Sequence, residues 1–194
     1  VTTMSRKTAT VSVLVLCCML VRASGPGLIG QPSAAPAGDY ASALWVGGDG
    51  GLVRISTEDG SPIGDIEGSG AVQAVAVDEA GGRVWTCGEG ILRAFTLDGH
   101  CVLQQVLGED APGHGRCRDR SGIAAMPDGS VWVGSGRRLW HVNGGGEILS
   151  RTNLARPFRG FARDPWRQWL WVATSKSVVA YDRELCVAYE AEIR

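Results

Sequence analysis

The sequence lacks the features that mark several large classes of protein. Charged residues make up only 20% of its 194 residues and the formal net charge is -1, which excludes a strong overall attraction to nucleic acid or anionic lipid. No apolar run reaches the ~20 residues that a membrane-spanning helix needs. Nucleophile-elbow, phosphate-loop and HExxH patterns are absent, and there are only three histidines. The chain therefore offers no recognisable catalytic motif.

Glycine is plentiful. The chain has 28 glycines, about twice the usual ~7%, and they follow no G-X-Y period. Hydrophobic residues make up 44%, which is enough to bury a core in a chain of this length. Abundant glycine beside aromatic and β-branched residues favours many short strands joined by tight turns, because glycine supplies the positive φ that such turns require.

The N-terminal segment has the pattern of a secretory signal peptide. Arg6 and Lys7 supply the positive start, an uncharged apolar stretch follows, and Val21 and Ala23 stand at the -3 and -1 positions of a cleavage site. The stretch is too short to cross a membrane as a helix. We therefore predict a signal peptide over residues 1–23, a secreted or periplasmic mature protein, and no membrane span after cleavage.

The residues around this signal leave two further questions open. One alternative to cleavage behind Ala23 is a lipoprotein acylated at Cys17 or Cys18, and the other is an uncleaved anchor. Residues 24–40 are rich in Pro, Ala, Gly and Ser, which predicts a flexible spacer.

No pair of cysteines has C-x2-C spacing, so we predict neither a metal nor a cofactor. The mature chain keeps four cysteines whose pairing the sequence leaves open, namely Cys87, Cys101, Cys117 and Cys186.

A repeat of about forty residues organises the rest of the chain. A tryptophan within a short apolar phrase occurs four times, at spacings of 40, 47 and 39 residues. An apolar residue follows each tryptophan after seven residues, and another after ten. We predict the residues of this pattern as the structural core: Trp45, Trp85, Trp132 and Trp171, then Leu52, Leu92, Leu139 and Val178, then Ile55, Phe95, Val142 and Tyr181. Trp140, Trp166 and Trp169 fall outside the pattern and are expected at the surface.

Within each repeat, the alternation of apolar residues predicts short antiparallel strands. One such sheet cannot bury both of its faces, so tandem sheets pack face to face, as the blades of a β-propeller do. The predicted fold is all-β, with about four four-stranded antiparallel blades. The approximate blades within residues 41–194 are 41–69, 70–109, 120–155 and 158–194.

The first repeat lacks an opening strand, so we expect three strands there and four in each later repeat. We therefore predict an open arc, or part of a six- to eight-bladed ring. An open arc is either a fragment of a longer protein or half of an eight-bladed dimer, and its unpaired end invites self-association.

Two segments resemble repeats of known propeller families. The segment from Leu44 to Ile55 resembles the repeat of two-component-regulator-type propellers. The segment from Asp128 to Val142 is similar to that repeat and to the repeats of NHL and virginiamycin B lyase-like propellers. The resemblance covers residues 41–194 and implies propeller blades, with sensing, carbohydrate binding or peptide binding as functions. It also implies a metal-dependent eliminase in the lyase, but none of the three histidines lies in a matching motif.

The longest insertion between predicted strands is the strongest binding candidate. Residues 108–120 lengthen one repeat to 47 residues and combine carboxylates, arginines and an imidazole, which could bind an anion or transfer protons. A solvated loop with internal ion pairs is the alternative. The predicted ligand-binding residues are Glu109, Asp110, His114, Arg116, Arg118 and Arg120, with the neighbouring Arg137 and Arg138.

Charge is distributed unevenly along the chain. Residues 39–110 hold three basic and twelve acidic side chains, a net charge of -9, whereas residues 111–170 hold ten arginines and four acidic residues, a net charge of +6. The basic sector could face a polyanion such as an acidic glycan. Genomic composition, or attraction between the two halves in an oligomer, would also account for it.

These features favour an exported, non-catalytic binding or sensor module whose ligand is a protein, peptide or glycan and not nucleic acid. One alternative is a lyase-like or hydrolytic enzyme with its site on the rim loops. The other is a structural module at the front of a larger secreted or surface protein.

The export prediction is tested by the N-terminus of the mature protein. After signal-peptidase cleavage behind Ala23, the exported protein should begin near Ser24. Intact-mass measurement of the protein from the exported fraction checks this. A protein that stays in the cytoplasm and retains Met4 would contradict it.

Overall fold

A computed structural model describes residues 43–108, 121–164 and 166–193. These residues form fifteen strands and no helix, arranged in four antiparallel sheets. The described residues therefore contain no helix that could span a membrane.

Each sheet is a meander of consecutive strands. Sheet 1 consists of β1 (Ala43–Gly48), β2 (Gly51–Ser56) and β3 (Pro62–Ile66). Sheet 2 consists of β4 (Ala74–Asp78), β5 (Arg83–Gly88), β6 (Ile91–Thr96) and β7 (Cys101–Val106). Sheet 3 consists of β8 (Ser121–Ala125), β9 (Val131–Ser135), β10 (Arg138–Val142) and β11 (Ile148–Asn153). Sheet 4 consists of β12 (Phe158–Arg163), β13 (Leu170–Thr174), β14 (Ser177–Tyr181) and β15 (Val187–Glu192).

The first strands of the sheets contact one another along the arc. Strand β1 contacts β4, β4 contacts β8, and β8 contacts β12. The later strands of each sheet lie progressively further out, and the last strands β7, β11 and β15 are largely exposed. This propeller-like arrangement confirms the predicted all-β fold class, and within the described residues the four sheets form an open arc.

The repeated tryptophan shows how the sheets correspond. It lies on the second strand of sheets 2, 3 and 4, namely β5, β9 and β13, but on β1 of sheet 1. The three described strands of sheet 1 therefore correspond to the second, third and fourth strands of the other sheets. The counts of three, four, four and four agree with the number of strands expected from the repeat.

Three hydrophobic clusters fill the spaces between consecutive sheets. Trp85 is fully buried in the cluster between sheets 2 and 3, and Trp132 in the cluster between sheets 3 and 4. In each case the tryptophan points toward the sheet that follows in sequence. The other members of the repeat pattern that are buried are Leu52, Leu92, Leu139, Phe95 and Val142.

The remaining members of the pattern are only half-buried, and they lie on sheets 1 and 4, the two ends of the arc. They are Trp45, Ile55, Trp171, Val178 and Tyr181. Ile55 pairs with Leu44 on the face of sheet 1 that points away from sheet 2. Trp171 and Val178 lie on the face of sheet 4 that points away from sheet 3. Burial of a blade residue requires a neighbouring sheet, and among the described residues these two faces have none.

Trp140 corrects a prediction made from the repeat. It was expected at the surface, but it is only 2% exposed and packs in the cluster between sheets 2 and 3. It pairs with Val133 across the strands, on the opposite face from Trp132. Both faces of an interior sheet are buried, so a residue outside the repeated phrase can also belong to the core. Trp166 is 88% exposed, and Trp169 is half-buried.

A small residue two positions after the tryptophan lets the next sheet approach. A Cβ atom on Gly47 would clash with Val72 and Val75 of sheet 2, and one on Gly134 would clash with Phe161 of sheet 4. The size of the residue two positions after the tryptophan therefore sets the distance between neighbouring sheets.

The packing of Trp132 can be tested with Trp132→Ala. Removal of a fully buried indole should lower the free energy of unfolding by roughly 3–5 kcal/mol, since the cavity cannot close completely. Trp166→Ala removes the same side chain from an exposed site and should change stability by less than ~0.5 kcal/mol. Urea denaturation of both variants provides the comparison, and equal losses would refute the packing described.

Candidate functional site

The residues predicted to bind a ligand fall into two groups. Six of them lie outside the described residues: Glu109, Asp110, His114, Arg116, Arg118 and Arg120. Arg137 and Arg138 lie where the β9–β10 turn meets β10, and Arg138 is half-buried.

Arg137 has a structural use in this position. Its Nε donates a hydrogen bond to the Leu154 carbonyl at 3.2 Å, and its Nη2 donates to the Ala155 carbonyl at 2.6 Å. The backbone N–H of Leu154 donates in return to the Arg137 carbonyl at 2.6 Å. The side chain thus fastens the β9–β10 turn to the connection between sheets 3 and 4.

An aromatic cluster on sheet 4 is the strongest candidate for an interaction surface. The outward-pointing face of sheet 4, which we name the end face, carries Trp171, and Trp169 and Tyr189 flank it. The ring centroids of Trp169 and Trp171 are 6.3 Å apart, and those of Trp171 and Tyr189 are 5.7 Å apart, both pairs in an edge-to-face arrangement. These distances and angles are those of favourable aromatic pairs, so the three rings form one continuous apolar surface.

The strand register explains why the rings meet. Ala180 of β14 pairs with Trp171 on one side and with Tyr189 on the other, so the three side chains share one face. The alanine is fully buried, and its methyl group leaves room for the flanking rings to approach each other. The end face is therefore a packed surface of the sheet and not a set of independent side chains.

The turn before β13 holds one edge of this surface. The Asp164 carboxylate accepts hydrogen bonds from the backbone N–H groups of Trp166 at 3.0 Å and Arg167 at 2.9 Å. The bond from Arg167 is the main reason that the pKa of Asp164 lies below its usual value. The Arg167 guanidinium lies 5.0 Å from the ring centroid of Trp169, a cation–π contact that gives the apolar surface a positive rim.

The end face corresponds to surfaces that are buried elsewhere in the arc. Trp85 and Trp132 occupy the same position as Trp171, and the next sheet covers both. Trp171 is half-buried and Tyr189 is 51% exposed. An apolar sheet face of this kind marks a place where another molecule or segment can pack.

The sequence pattern placed Trp171 in the core and did not identify the other members of the end face. Two signals could have found them. Trp169 precedes Trp171 by two residues, and Tyr189 alternates with its neighbours on a predicted last strand. Neither signal says that no described sheet covers this face, because covering depends on the arrangement of whole repeats.

A second cluster of polar groups lies on sheet 3, toward sheet 4. The Ser130 hydroxyl donates to Asp128 Oδ1 at 2.6 Å, and His141 Nε2 lies 2.9 Å from the same hydroxyl oxygen. The imidazole stacks on the Trp132 ring, with centroids 4.1 Å apart and planes 2° from parallel. Arg183, from sheet 4, approaches Asp128 Oδ2 at 3.5 Å.

The direction of these hydrogen bonds argues against nucleophilic catalysis. In a catalytic triad the serine gives its proton to the histidine, and the carboxylate binds the other imidazole nitrogen. Here the Asp128 carboxylate accepts a hydrogen bond from the Ser130 hydroxyl itself, so the three groups do not follow the serine–imidazole–carboxylate order of a triad. A backbone hydrogen bond at Arg183 engages His141 as well. Ser130 and His141 are buried, whereas Asp128 and Arg183 are open to solvent, and together they join a turn of sheet 3 to sheet 4.

The burial of His141 makes the stability of the fold depend on pH. Removal from water lowers the pKa of its imidazole below the ordinary ~6.5. The unfolded chain then binds a proton at a pH where the folded chain does not, so stability is full above the ordinary pKa and falls as the pH decreases toward the lower folded value.

This sensitivity can be measured by urea denaturation at pH 7.5 and 5.5. The free energy of unfolding should decrease toward pH 5.5, by up to ~1.4 kcal/mol per pH unit for this one group. His141→Gln should reduce this decrease, whereas His100→Gln, on the exposed turn after β6, should retain it. An unchanged pH dependence in His141→Gln would contradict the assignment.

The described cysteines are free thiols. Cys87 is buried between sheets 2 and 3, where burial raises the pKa of its thiol to about 12. Cys101 and Cys186 are exposed, and Cys117 lies outside the described residues. Within the part of the chain that the structure covers, no group of three or more His, Cys, Asp or Glu side chains could hold a metal ion.

No protein-family model matches this chain, and no curated protein does. Many solved structures are similar to it, and two of them illustrate the likeness. Hydrazine synthase of Kuenenia stuttgartiensis has a TM-score of 0.66 and 16% identity, with 80% of this chain and 47% of that chain covered. A protein of unknown function from Bacteroides caccae has a TM-score of 0.53 and 18% identity, with 78% and 58% covered.

The chain spans about half the length of each of these two structures. At these identities the likeness concerns the fold alone. It supports a propeller-like arrangement of four-stranded sheets and does not distinguish among the propeller repeat families that the sequence resembles.

Proposed function

We propose that this chain is an exported, non-catalytic interaction module of the propeller type that functions as a head-to-tail pair of chains. The observation that carries the proposal is the end face. Trp169 and Trp171 are only half-buried there and Tyr189 is exposed, whereas in sheets 2 and 3 the next sheet covers the corresponding face. The occupant that fits this face is sheet 1 of a second copy.

The two ends of the arc are complementary in the way that interior sheets are. In the interior, the tryptophan face of one sheet packs against a pair of apolar residues on the next. These pairs are Val84 with Phe95 in sheet 2 and Val131 with Val142 in sheet 3, and all four residues are fully buried. The corresponding pair in sheet 1 is Leu44 with Ile55, of which Leu44 is 37% exposed.

Packing of the end face on the Leu44–Ile55 pair of a second copy would repeat the interior interface. Ala173 on the end face occupies the position of Gly47 and Gly134, where a small side chain admits the neighbouring sheet. Two copies related by a twofold axis would make this contact twice and close the arrangement. Two arcs of four sheets would give eight, within the ~4–8 blades of known propellers.

The other two candidate functions have less support. The Ser130–His141 cluster offers an enzyme no free nucleophile, because the serine proton is already donated to Asp128. The module at the front of a longer protein would use the same end face to pack against further sheets of its own chain. The experiment below separates this alternative from the proposed pair.

The proposal predicts a defined mass in solution. Light scattering of the mature protein, from residue 24 onward, should show a dimer whose dissociation is concentration-dependent. Trp171→Ser combined with Tyr189→Ser should shift the protein to monomer, because it removes the centre of the apolar contact. Trp166→Ser, which alters an exposed tryptophan outside the cluster, should leave the dimer intact.

Two outcomes would overturn the proposed pair. One is a soluble wild-type monomer at concentrations up to ~100 µM, well above the micromolar range of a stable protein pair. The other is a dimer that the double variant does not weaken. Circular dichroism of the double variant shows whether it is folded, so that loss of pairing is not confused with unfolding.

A further inference from the structure

Arg93 occupies a position that is apolar in the other three sheets. It lies on β6 and is paired across the strands with Thr86 of β5. The corresponding pairs are Val53 with Val46 in sheet 1, Trp140 with Val133 in sheet 3 and Val179 with Val172 in sheet 4. Sheet 2 thus carries two polar groups, side by side, where the repeat otherwise places core residues.

Both polar side chains are buried, and three of their polar atoms find no hydrogen-bond partner among the described residues. Arg93 is only 7% exposed, and its Nε and Nη1 atoms have no partner. The hydroxyl of Thr86 is also buried and unpartnered. Neighbouring residues in a strand pair point to the same face, so these donors share the face of sheet 2 that packs against sheet 1.

The guanidinium lies against the connection between sheets 1 and 2. A Cβ atom on Gly70 would be 3.3 Å from Nη2 and 3.4 Å from Nη1 of Arg93, so any larger residue there would crowd the charge. The adjacent Ser69 is fully engaged, since its hydroxyl accepts from the Leu52 N–H at 2.9 Å and donates to the Ile66 carbonyl at 2.8 Å. The segment beside the guanidinium therefore consists of small residues, and the hydrogen bonds of Ser69 hold it in place.

The charge has no counter-ion among the described residues. The ion pairs of the described chain involve other groups, at Asp98 and Asp128. Cys87, which is close enough to interact electrostatically with Arg93, is a neutral thiol because burial raises its pKa to about 12. The guanidinium cannot release its own proton at physiological pH. A buried charge of this kind is strongly destabilising unless an opposite charge is present.

We propose that Arg93 and Thr86 bind a small monovalent anion from solution, such as chloride or acetate, between sheets 1 and 2. The guanidinium supplies the charge and the N–H donors, and the Thr86 hydroxyl supplies a further donor. Because Arg93 is only 7% exposed, the site admits a small ion and excludes nucleotides and polymeric anions. This site is independent of the end face and of the proposed pairing.

The experiment compares thermal unfolding of the full mature protein at pH 7.5 and constant ionic strength. Sodium chloride and sodium acetate are titrated against sodium sulfate, whose larger divalent anion serves as the background. The Tm of the wild type should rise with saturation, by about 3–6 °C at ten times the dissociation constant of the anion. Arg93→Met should show no saturable rise, and its Tm in sulfate should equal or exceed that of the wild type, because an apolar residue replaces an unpaired charge.

Arg83→Met is the matched control. Arg83 lies on the same sheet and is half-buried, but its Nη1 already donates to the Gly144 carbonyl at 2.6 Å. This variant should keep the wild-type response to chloride. Bromide in crystals of the wild type gives a second measurement, which needs no variant to fold, because an anomalous peak should lie within hydrogen-bond distance of Arg93.

A wild-type Tm that responds equally to all three anions, or a chloride response that persists in Arg93→Met, would overturn the proposal. A bromide map without a peak beside Arg93 would overturn it as well. In that case a carboxylate of the chain itself would be the counter-ion, and Arg93→Met would be less stable than the wild type in every salt.

Discussion

The structure depends on one interaction, the contact between the tryptophan face of one sheet and the first three strands of the next. A meander of four short strands has two broad faces and little interior, so no sheet in the arc has a core of its own. Each hydrophobic cluster is formed by residues of two sheets, and each is completed only when the neighbour is in place. Because each sheet needs its neighbour, the stability of the arc depends on these contacts, and the faces at its two ends stay exposed and available for interaction.

Much of the fold follows from the sequence, because one short repeated motif determines three things: where a strand lies, which of its faces points to the next sheet, and how closely that sheet approaches. Tryptophan marks the face toward the next sheet, and the small residue two positions later admits it. Trp140 could not be predicted, because the repeat reveals only one of the two buried faces of an interior sheet. The half-burial of Trp171 was equally hidden, since it depends on whether a neighbour exists and not on the residue itself. The hydrogen bond between Ser130 and His141 joins positions that no sequence spacing relates.

The three interfaces between sheets differ in their polar groups. The first contains Arg93, Thr86 and Ser69, and the third contains His141 and Ser130, whereas the second is formed largely by apolar side chains such as Trp85 and Trp140. Repeats with identical interfaces can pair in the wrong order, because their apolar faces are interchangeable. Buried polar groups that find their partners in only one arrangement favour the correct neighbour at some cost in stability. In this chain, the contacts of Asp128 and His141 with Arg183 would keep sheet 4 beside sheet 3 in this way.

Cys87 gives the interface between sheets 2 and 3 a chemical sensor of its own. Its sulfur replaces the glycine found at the equivalent position of sheets 1 and 3, and it is fully enclosed, whereas Cys101 and Cys186 are open to solvent. A thiol reagent can reach it only after the two sheets separate, so its rate of alkylation reports the frequency of that opening under native conditions. The slow alkylation of Cys87 would thus measure how often the interface between sheets 2 and 3 opens, without any added label.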